Sequence, residues 1–171
     1  AVSTAEMVYR CREAAAGLFG AEPERVVFTL NCTHALNLAI KGAMPQGGHL
    51  ILSDLEHNAV FRPAYAMRAA GWADYTVARV TLGDDDATVA AFRRAIRPNT
   101  AMIVCTMASN VVGYRPPVER LAALARQHGL IFVADAAQAA GTMPIDIGRL
   151  GADFLCMPGH KGLYGPTGTG L

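Results

Sequence analysis

Two apolar runs near the end of the chain, each followed by polar residues, indicate the fold. Residues 130–161 read LIFVADAAQAAGTMPIDIGRLGADFLCMPGHK. The apolar runs Leu130–Ala134 and Asp153–Met157 predict strands buried on both faces of a sheet. Asp135 ends the first run, and Lys161 stands in a glycine-rich loop after the second. Because open α/β sheets bind ligands beyond the carboxyl ends of their strands, both side chains are expected where a ligand would sit.

An acid and an amine that meet over one cavity suit pyridoxal phosphate (PLP). In such sites a lysine forms a Schiff base with the cofactor, and a carboxylate pairs with its pyridinium nitrogen. Lys161 and Asp135 are the candidates here, and Gln138 is close enough along the chain to face the same cavity. The alternative interpretation is that Lys161 is a solvated loop lysine, which is the usual state of lysines.

The rest of the chain alternates predicted helices with predicted strands. Helices are expected over Ser3–Leu18, after Thr33 to Gly42, after Asn58 to Ala70 with Pro63 near the start, over Ala87–Ile96 and over Val118–His128. Strands are expected over Val26–Thr29, His49–Ser53, Asp74–Val80 and Ala101–Met107. The strands are too apolar for a sheet with one wet face, so the pattern predicts a three-layer α/β/α fold with a mostly parallel sheet. We expect one domain over residues 1–171.

Three further polar positions lie at predicted strand ends. Thr33 stands in the polar turn before a helix, where backbone amides form an anion site, although Thr33 could simply cap that helix. His57 follows the second predicted strand and has a surface or cap residue as its alternative interpretation. Asn110 follows the strand over residues 101–107 and could be an ordinary turn asparagine.

The motifs ADAAQAAG and PGHKGLYGPTGTG resemble the class V aminotransferase family, most closely its cysteine desulfurase branch. Three upstream stretches resemble the same family in the expected order: FTLNCTHALN at residues 28–37, EHN at residues 56–58 and SNVVG at residues 109–113. The resemblance implies the large, PLP-binding domain of a fold-type I enzyme. It also implies a smaller C-terminal domain, which is expected to lie outside this chain.

The resemblance gives the candidate residues their roles. Lys161 is expected to bind PLP and to act as the acid–base group, and His57 to stack on the ring and handle protons beside it. Asp135 is expected to pair with the ring nitrogen. Gln138 is expected to hydrogen-bond the ring hydroxyl, and Asn110 to contact the same side of the ring or the substrate carboxylate.

The phosphate is expected to lie at a different set of residues. The resemblance assigns it to Thr33, to His160 and to nearby backbone amides, and it places Cys32 in the same turn beside the cofactor. The chain departs from the family at Pro158, where many members have a hydroxyl residue that donates to the phosphate, and at His34, where many have an acid.

The resemblance implies an enzyme that removes sulfur from L-cysteine, giving alanine and an enzyme persulfide. A selenocysteine lyase, another class V aminotransferase or lyase, and a non-catalytic PLP-binding or dimerisation fragment are the alternatives. Family members form homodimers and pass sulfur to an acceptor protein. Their persulfide-carrying cysteine and their carboxylate-binding arginine would lie beyond Leu171.

Composition excludes several other classes of protein. A net charge of +1 with scattered basic residues argues against nucleic acid as a partner, and no apolar run approaches the roughly 18 residues of a membrane span. The four cysteines lack CxxC spacing and are expected to be buried thiols in a reducing cytoplasm. The acidic run at residues 84–86 is expected to favour a helix start rather than to bind a metal, and no GxGxxG or P-loop motif occurs.

Overall fold

A computed structural model describes residues 3–171 of the protein. The helices are α1 (Thr4–Phe19), α2 (Cys32–Ala43), α3 (Asn58–Ala69), α4 (Asp85–Ala95), α5 (Val118–Gln127) and the short α6 (Ile147–Leu150). The strands are β1 (Gly48–Ser53), β2 (Ala73–Ala78), β3 (Thr100–Thr106), β4 (Ile131–Asp135) and β5 (Phe154–Cys156). Each of these five strands lies within two residues of a predicted one.

The five strands form one sheet in the order β2-β1-β3-β4-β5, and every neighbouring pair is parallel. The chain moves outward from β1 to β2, then crosses back to β3 on the other side of β1. The direction of strand addition therefore reverses between β1 and β3, which is where doubly wound sheets open a ligand crevice.

Helices cover both faces of the sheet, and alternate strand residues point to each. Leu50 and Leu52 of β1 pack with α2 and α3, whereas Ile51 packs with α4 and α5 on the opposite face. These three side chains are fully buried. The predicted three-layer α/β/α fold is confirmed, with a sheet that is parallel throughout.

Three details of the prediction are wrong. Val26–Thr29 is not a strand: the segment is extended, and only Thr29 pairs, through an isolated antiparallel bridge to Gly170. Cys11 is exposed on α1, although the other three cysteines are buried as expected. The helix α6 was missed, although Asp146 before it and Gly151 after it are typical capping residues.

Within residues 3–171, no helix is long and apolar enough to span a bilayer.

Candidate functional site

A cavity of about 140 Å³ opens at the carboxyl edge of the sheet, next to the point where strand order reverses. All eight residues that the sequence predicted for the site line it, and they come from α2, from the end of β4 and from the loops after β1, β3, β4 and β5: Cys32, Thr33, His57, Asn110, Asp135, Gln138, His160 and Lys161. Asn31, Thr106 and Pro158 lie in the same wall. Residues up to about 130 positions apart in the chain therefore share one space.

Asp135 presents one oxygen to this cavity and keeps the other within the protein. Its Oδ1 accepts hydrogen bonds from the Ala137 amide at 2.9 Å and from the Cys32 thiol at 3.5 Å. Its Oδ2 has no hydrogen-bond partner among residues 3–171 but retains some solvent exposure. Oδ2 is therefore the oxygen that a ligand in the cavity can reach. The whole residue is only 2% exposed.

Burial raises the pKa of the Asp135 carboxyl, because the charged form loses hydration. The Ala137 amide, the Cys32 thiol, Lys161 and His57 act in the opposite direction, since each favours the carboxylate. The balance leaves the pKa above its usual value. A bound cation or N–H donor at the free oxygen would favour the charged form further.

Two buried thiols flank this acid. Burial and the Asp135 charge raise the pKa of Cys32 far above its usual range, and the same causes raise the pKa of Cys156 to about 12. Both therefore remain thiols at physiological pH. Neither has the low pKa of a reactive cysteine nucleophile.

Lys161 stands in a closed loop that two backbone hydrogen bonds define. The Tyr164 amide donates to the Lys161 carbonyl at 2.9 Å, and the Gly165 amide donates to the Gly159 carbonyl at 2.7 Å. The Lys161 side chain is exposed, and its ammonium makes no hydrogen bond or ion pair with any residue from 3 to 171. Its amine is therefore free to react with a ligand in the cavity.

The α2 helix points its start at the cavity. Asn31, not Thr33, caps it: the Asn31 side chain accepts a hydrogen bond from the His34 amide at 2.9 Å. The interpretation of Thr33 as the cap is therefore wrong, and its exposed hydroxyl is left free beside the cavity. His34 closes the preceding turn, because its Nδ1 accepts from the Leu30 amide at 3.3 Å.

His57 is both the cap of a helix and part of the cavity wall. It is the N-cap of α3, and its Nδ1 accepts from the Ala59 amide at 3.1 Å. The neutral ring therefore carries its proton on Nε2. His57 is exposed, and so are Asn110 and His160, whereas Gln138 is half-buried. The Ser109 hydroxyl accepts from the Val111 and Val112 amides and so forms the turn that holds Asn110.

Sequence reasoning missed Glu56, the buried residue directly before His57. Its Oε1 accepts hydrogen bonds from the Thr106 amide at 2.7 Å and from the Ser53 hydroxyl. Glu56 belongs to the EHN stretch, but an acid after a strand is usually exposed. The signal that could have found it is its position directly between an apolar strand and a site residue.

A larger cavity of about 900 Å³ lies elsewhere, between the end of α1 and the loop before α6. Its acids already have partners: Asp146 caps α6, and Glu119 lies 3.7 Å from Arg115. It holds no amine or thiol nucleophile, so its size does not make it the better candidate for chemistry. No cluster of His, Cys, Asp and Glu in residues 3–171 has metal-binding geometry.

Comparison with known proteins gives a family match over residues 1–171, to the family described as Aminotransferase class-V. The curated relatives include the cysteine desulfurase IscS of Methylococcus capsulatus, which is 37% identical over 98% of this chain. The chain covers 42% of that relative, and between 34% and 42% of the first three. It therefore spans less than half the length of the curated proteins that it matches.

Solved structures of similar proteins share this fold. The apo structure of a cysteine desulfurase from Thermococcus onnurineus NA1 matches 97% of this chain with a TM-score of 0.85 and 31% identity, over 42% of its own chain. The cystine C-S lyase C-DES matches 98% with a TM-score of 0.89 and 28% identity, over 47% of its own chain, in complex with its product cysteine persulfide. A C-DES mutant carries glycine covalently linked to its PLP cofactor. The predicted fold-type I architecture is confirmed.

Proposed function

The chain belongs to the class V aminotransferase family, and we propose that the protein is a PLP-dependent cysteine desulfurase. It would remove sulfur from L-cysteine, leaving alanine and a persulfide on the enzyme. One observation carries the proposal: Asp135 and Lys161, from neighbouring strand ends, line one cavity as acid and amine. Several relatives named as cysteine desulfurases, at 32% to 37% identity, support the choice of substrate.

The residues present fit PLP chemically. The cavity offers an accessible oxygen of Asp135, the unpaired amine of Lys161 and a helix start with a free hydroxyl at Thr33. These match the three polar parts of PLP, which are its ring nitrogen, its aldehyde and its phosphate. PLP supplies an electron sink that lets bonds at the α-carbon of an amino acid break.

Asp135 and Lys161 would perform the central steps. Oδ2 of Asp135 would accept a hydrogen bond from the ring nitrogen and keep that nitrogen protonated. The Lys161 amine would hold the cofactor covalently and, once released by substrate, would move the proton at the α-carbon. The hydrogen bonds that fix Oδ1 orient the acid for this task.

The other side chains would orient the cofactor. Thr33, His160 and the first amides of α2 would hold the phosphate, because a helix start favours an anion. His57 would cover one face of the ring. Asn110 and Gln138 would donate to its oxygen substituent or to the substrate carboxylate. Cys32 would act through Asp135 rather than as a nucleophile.

The small size of the cavity suggests that surfaces from another part of the protein or from a second copy complete the site. Its volume of about 140 Å³ is below the roughly 300–1,000 Å³ of small-molecule sites. We propose that a second copy of the protein in a homodimer supplies further walls, as the family resemblance implies. Three of the four cysteines are buried and Cys11 lies outside the cavity, so another cysteine would carry the persulfide to an acceptor protein. A cytoplasmic location would keep these thiols reduced.

The test is covalent attachment of PLP to Lys161. The chain contains only two lysines, Lys41 and Lys161, and Lys41 is an exposed residue in the last turn of α2. Purified protein mixed with PLP should show a visible absorbance band that borohydride removes. Peptide mass mapping should then find the reduced adduct on Lys161. Lys161→Ala should abolish both signals, whereas Lys41→Ala should leave both unchanged.

A flat spectrum in the wild-type protein, or an adduct on Lys41, would contradict the proposal and favour the non-catalytic fragment. If PLP binds at Lys161, product analysis of the natural-length protein identifies the reaction. Alanine formed from L-cysteine supports the desulfurase. Free cysteine persulfide formed from cystine would instead favour a C-S lyase, the candidate that the likeness to C-DES raises. Turnover of selenocysteine alone would favour a selenocysteine lyase.

A further inference from the structure

Glu56 connects two of the strand ends that form the site. It lies in the turn between β1 and α3, directly before His57. Its Oε1 accepts a hydrogen bond from the amide of Thr106, the last residue of β3, and another from the hydroxyl of Ser53, the last residue of β1. The side chain therefore holds together the two strands between which the order of the sheet reverses.

The second oxygen of this carboxyl group, Oε2, is enclosed and has no hydrogen-bond partner in the described part of the chain, residues 3–171. An ionised carboxylate with such an oxygen would lose its hydration without compensation. The titratable groups that face it are Asp135 and Cys105, and an ionised Asp135 would repel a second negative charge. No lysine, arginine or histidine within residues 3–171 forms an ion pair with Glu56.

We propose that Glu56 is a positioning residue that works as a neutral carboxylic acid. It ties the turn carrying His57 to the end of β3, and it leaves Asp135 as the one charged carboxyl of the site. Two nearby acids in different surroundings thus take different states: Glu56 keeps its proton, and Asp135 carries its charge when a ligand donates a hydrogen bond to its free oxygen.

The electrostatics of the site agree with this geometry. Burial raises the pKa of Glu56 to about 8, against the opposing hydrogen bonds from Ser53 and Thr106. Asp135 has an oxygen open to the cavity and two groups, Lys161 and His57, that favour its charge. Glu56 has neither. Its role in holding the site rests on the proposed function, whereas its protonation state does not.

The experiment compares the wild-type protein with Glu56→Gln and Glu56→Ala, first without PLP. Glutamine keeps an acceptor for Thr106 and Ser53 and mimics a neutral acid. The infrared spectrum of the wild type at pH 6 to 7 should contain the carbonyl stretch of a protonated carboxylic acid. The wild type minus Glu56→Gln difference spectrum should contain that band, which should persist in Asp135→Asn and should disappear as the pH rises through about 8.

Stability against pH gives a second readout. The folded-state pKa is raised, so the acid stabilises the fold fully below its unfolded pKa of 4.5 and loses that contribution as the pH rises through about 8. Relative to Glu56→Gln, the unfolding equilibrium constant of the wild type should therefore rise up to about tenfold per pH unit across this window. Glu56→Ala should be less stable than both, because the Thr106 amide loses its partner.

With PLP, Glu56→Gln should bind within about twofold of the wild type, since the turn and the strand end stay in place. No protonated-acid band in the wild type minus Glu56→Gln difference would overturn the neutral state of Glu56. A Glu56→Gln protein that unfolds, or that binds PLP as poorly as Glu56→Ala while the wild type binds it well, would also overturn the neutral state of Glu56. If no variant and no wild type binds PLP, the proposed function fails, but the infrared result still decides the state of Glu56.

Discussion

The thiol of Cys32 donates a hydrogen bond to Oδ1 of Asp135 over 3.5 Å, from the first residue of α2 to the last residue of β4. The two residues are 103 positions apart in the sequence. This contact links the helix start proposed for the phosphate to the acid proposed for the ring nitrogen. It also decides which oxygen of Asp135 is left for a ligand.

Removing this donor should weaken PLP binding in acid. Cys32→Ala takes away a hydrogen bond that favours the carboxylate, so the pKa of Asp135 should rise further. If PLP needs the charged acid, binding should be lost at a higher pH than in the wild type. Because a neutral hydrogen bond contributes about 1 kcal/mol, the affinity of Cys32→Ala for PLP at acidic pH should be roughly fivefold lower than that of the wild type. The measurement is a PLP titration, followed by absorbance, from pH 5 to pH 9.

Cys156→Ala is the matched control for this titration. Cys156 is also buried beside Asp135 but makes no hydrogen bond to it in the described structure. Its removal should leave the pH dependence of binding nearly unchanged, and Cys32→Ser, which keeps a donor, should behave like the wild type. Equal shifts in the two alanine variants would show that loss of volume, and not of the hydrogen bond, is responsible.

Asp135→Asn should stabilise the protein without PLP at pH 7. The folded-state pKa of Asp135 is raised, mainly by burial, so its stabilising contribution is complete below the unfolded pKa and is lost as the pH rises through the folded one. The amide keeps an acceptor for Ala137 and Cys32 and carries no charge. A gain of about 1 kcal/mol would raise the melting temperature by about 2–4 °C.

The control for this variant is Asp153→Asn. Asp153 is exposed and accepts a hydrogen bond from the Phe132 amide, so its replacement should change stability by less than about 0.5 kcal/mol. The activity with PLP should change in the opposite direction to the stability. Asp135→Asn should lose most activity, because an amide cannot keep the ring nitrogen protonated as a carboxylate does. An Asp135→Asn protein that melts at a lower temperature than the wild type at pH 7 would contradict the claim that the buried Asp135 carboxyl destabilises the fold at this pH.

The strands and the edge of the site could be predicted because parallel β-α units put every strand end on one side. Asp135 and Lys161 follow apolar runs, so each was recognisable without knowing the order of strands in the sheet. Val26–Thr29 is equally apolar but pairs at one residue only. Apolar composition indicates burial or strand propensity, but it does not show whether a neighbouring strand exists.

The contacts within the site could not be predicted, because they depend on tertiary neighbours. Asn31 and Thr33 are both good capping residues, and only the path of the chain into α2 decides that Asn31 takes the role. Glu56 is buried because the end of β3 meets it, which no local pattern reveals. Cys32 meets Asp135 for the same reason.

A comparison of Asn31→Ala with Asp84→Ala should separate the loss of a helix cap from an effect on ligand binding. Each caps a helix by accepting a hydrogen bond, at 2.9 Å, from the amide three residues later, but only Asn31 lines the cavity. Alanine at either position should cost about 1 kcal/mol of stability. Only Asn31→Ala should also weaken PLP binding, measured by absorbance titration, because it loosens the amides proposed for the phosphate. A similar loss of affinity in Asp84→Ala would show that the effect is general destabilisation.

The contact between the loop at Gly141 and the loop at Gly162 should be necessary to position Lys161. Gly141 has φ +81°, and a Cβ there would overlap the carbonyl of Gly162, the residue after Lys161. Gly83 has nearly the same φ, +78°, but open space around it. Alanine at Gly83 should therefore cost only the strain of a positive φ, about 1–2 kcal/mol, and leave PLP binding unchanged.

Gly141→Ala should cost more, because the obstacle is backbone that cannot rotate away. The loop at Gly162 has to move, and Lys161 moves with it, so PLP affinity should fall at least about tenfold in addition to the loss of stability. Thermal unfolding and PLP titration of both variants make the comparison. If Gly141→Ala binds PLP as well as Gly83→Ala does, the contact between these loops does not position the amine, and the loop around Lys161 alone must do so.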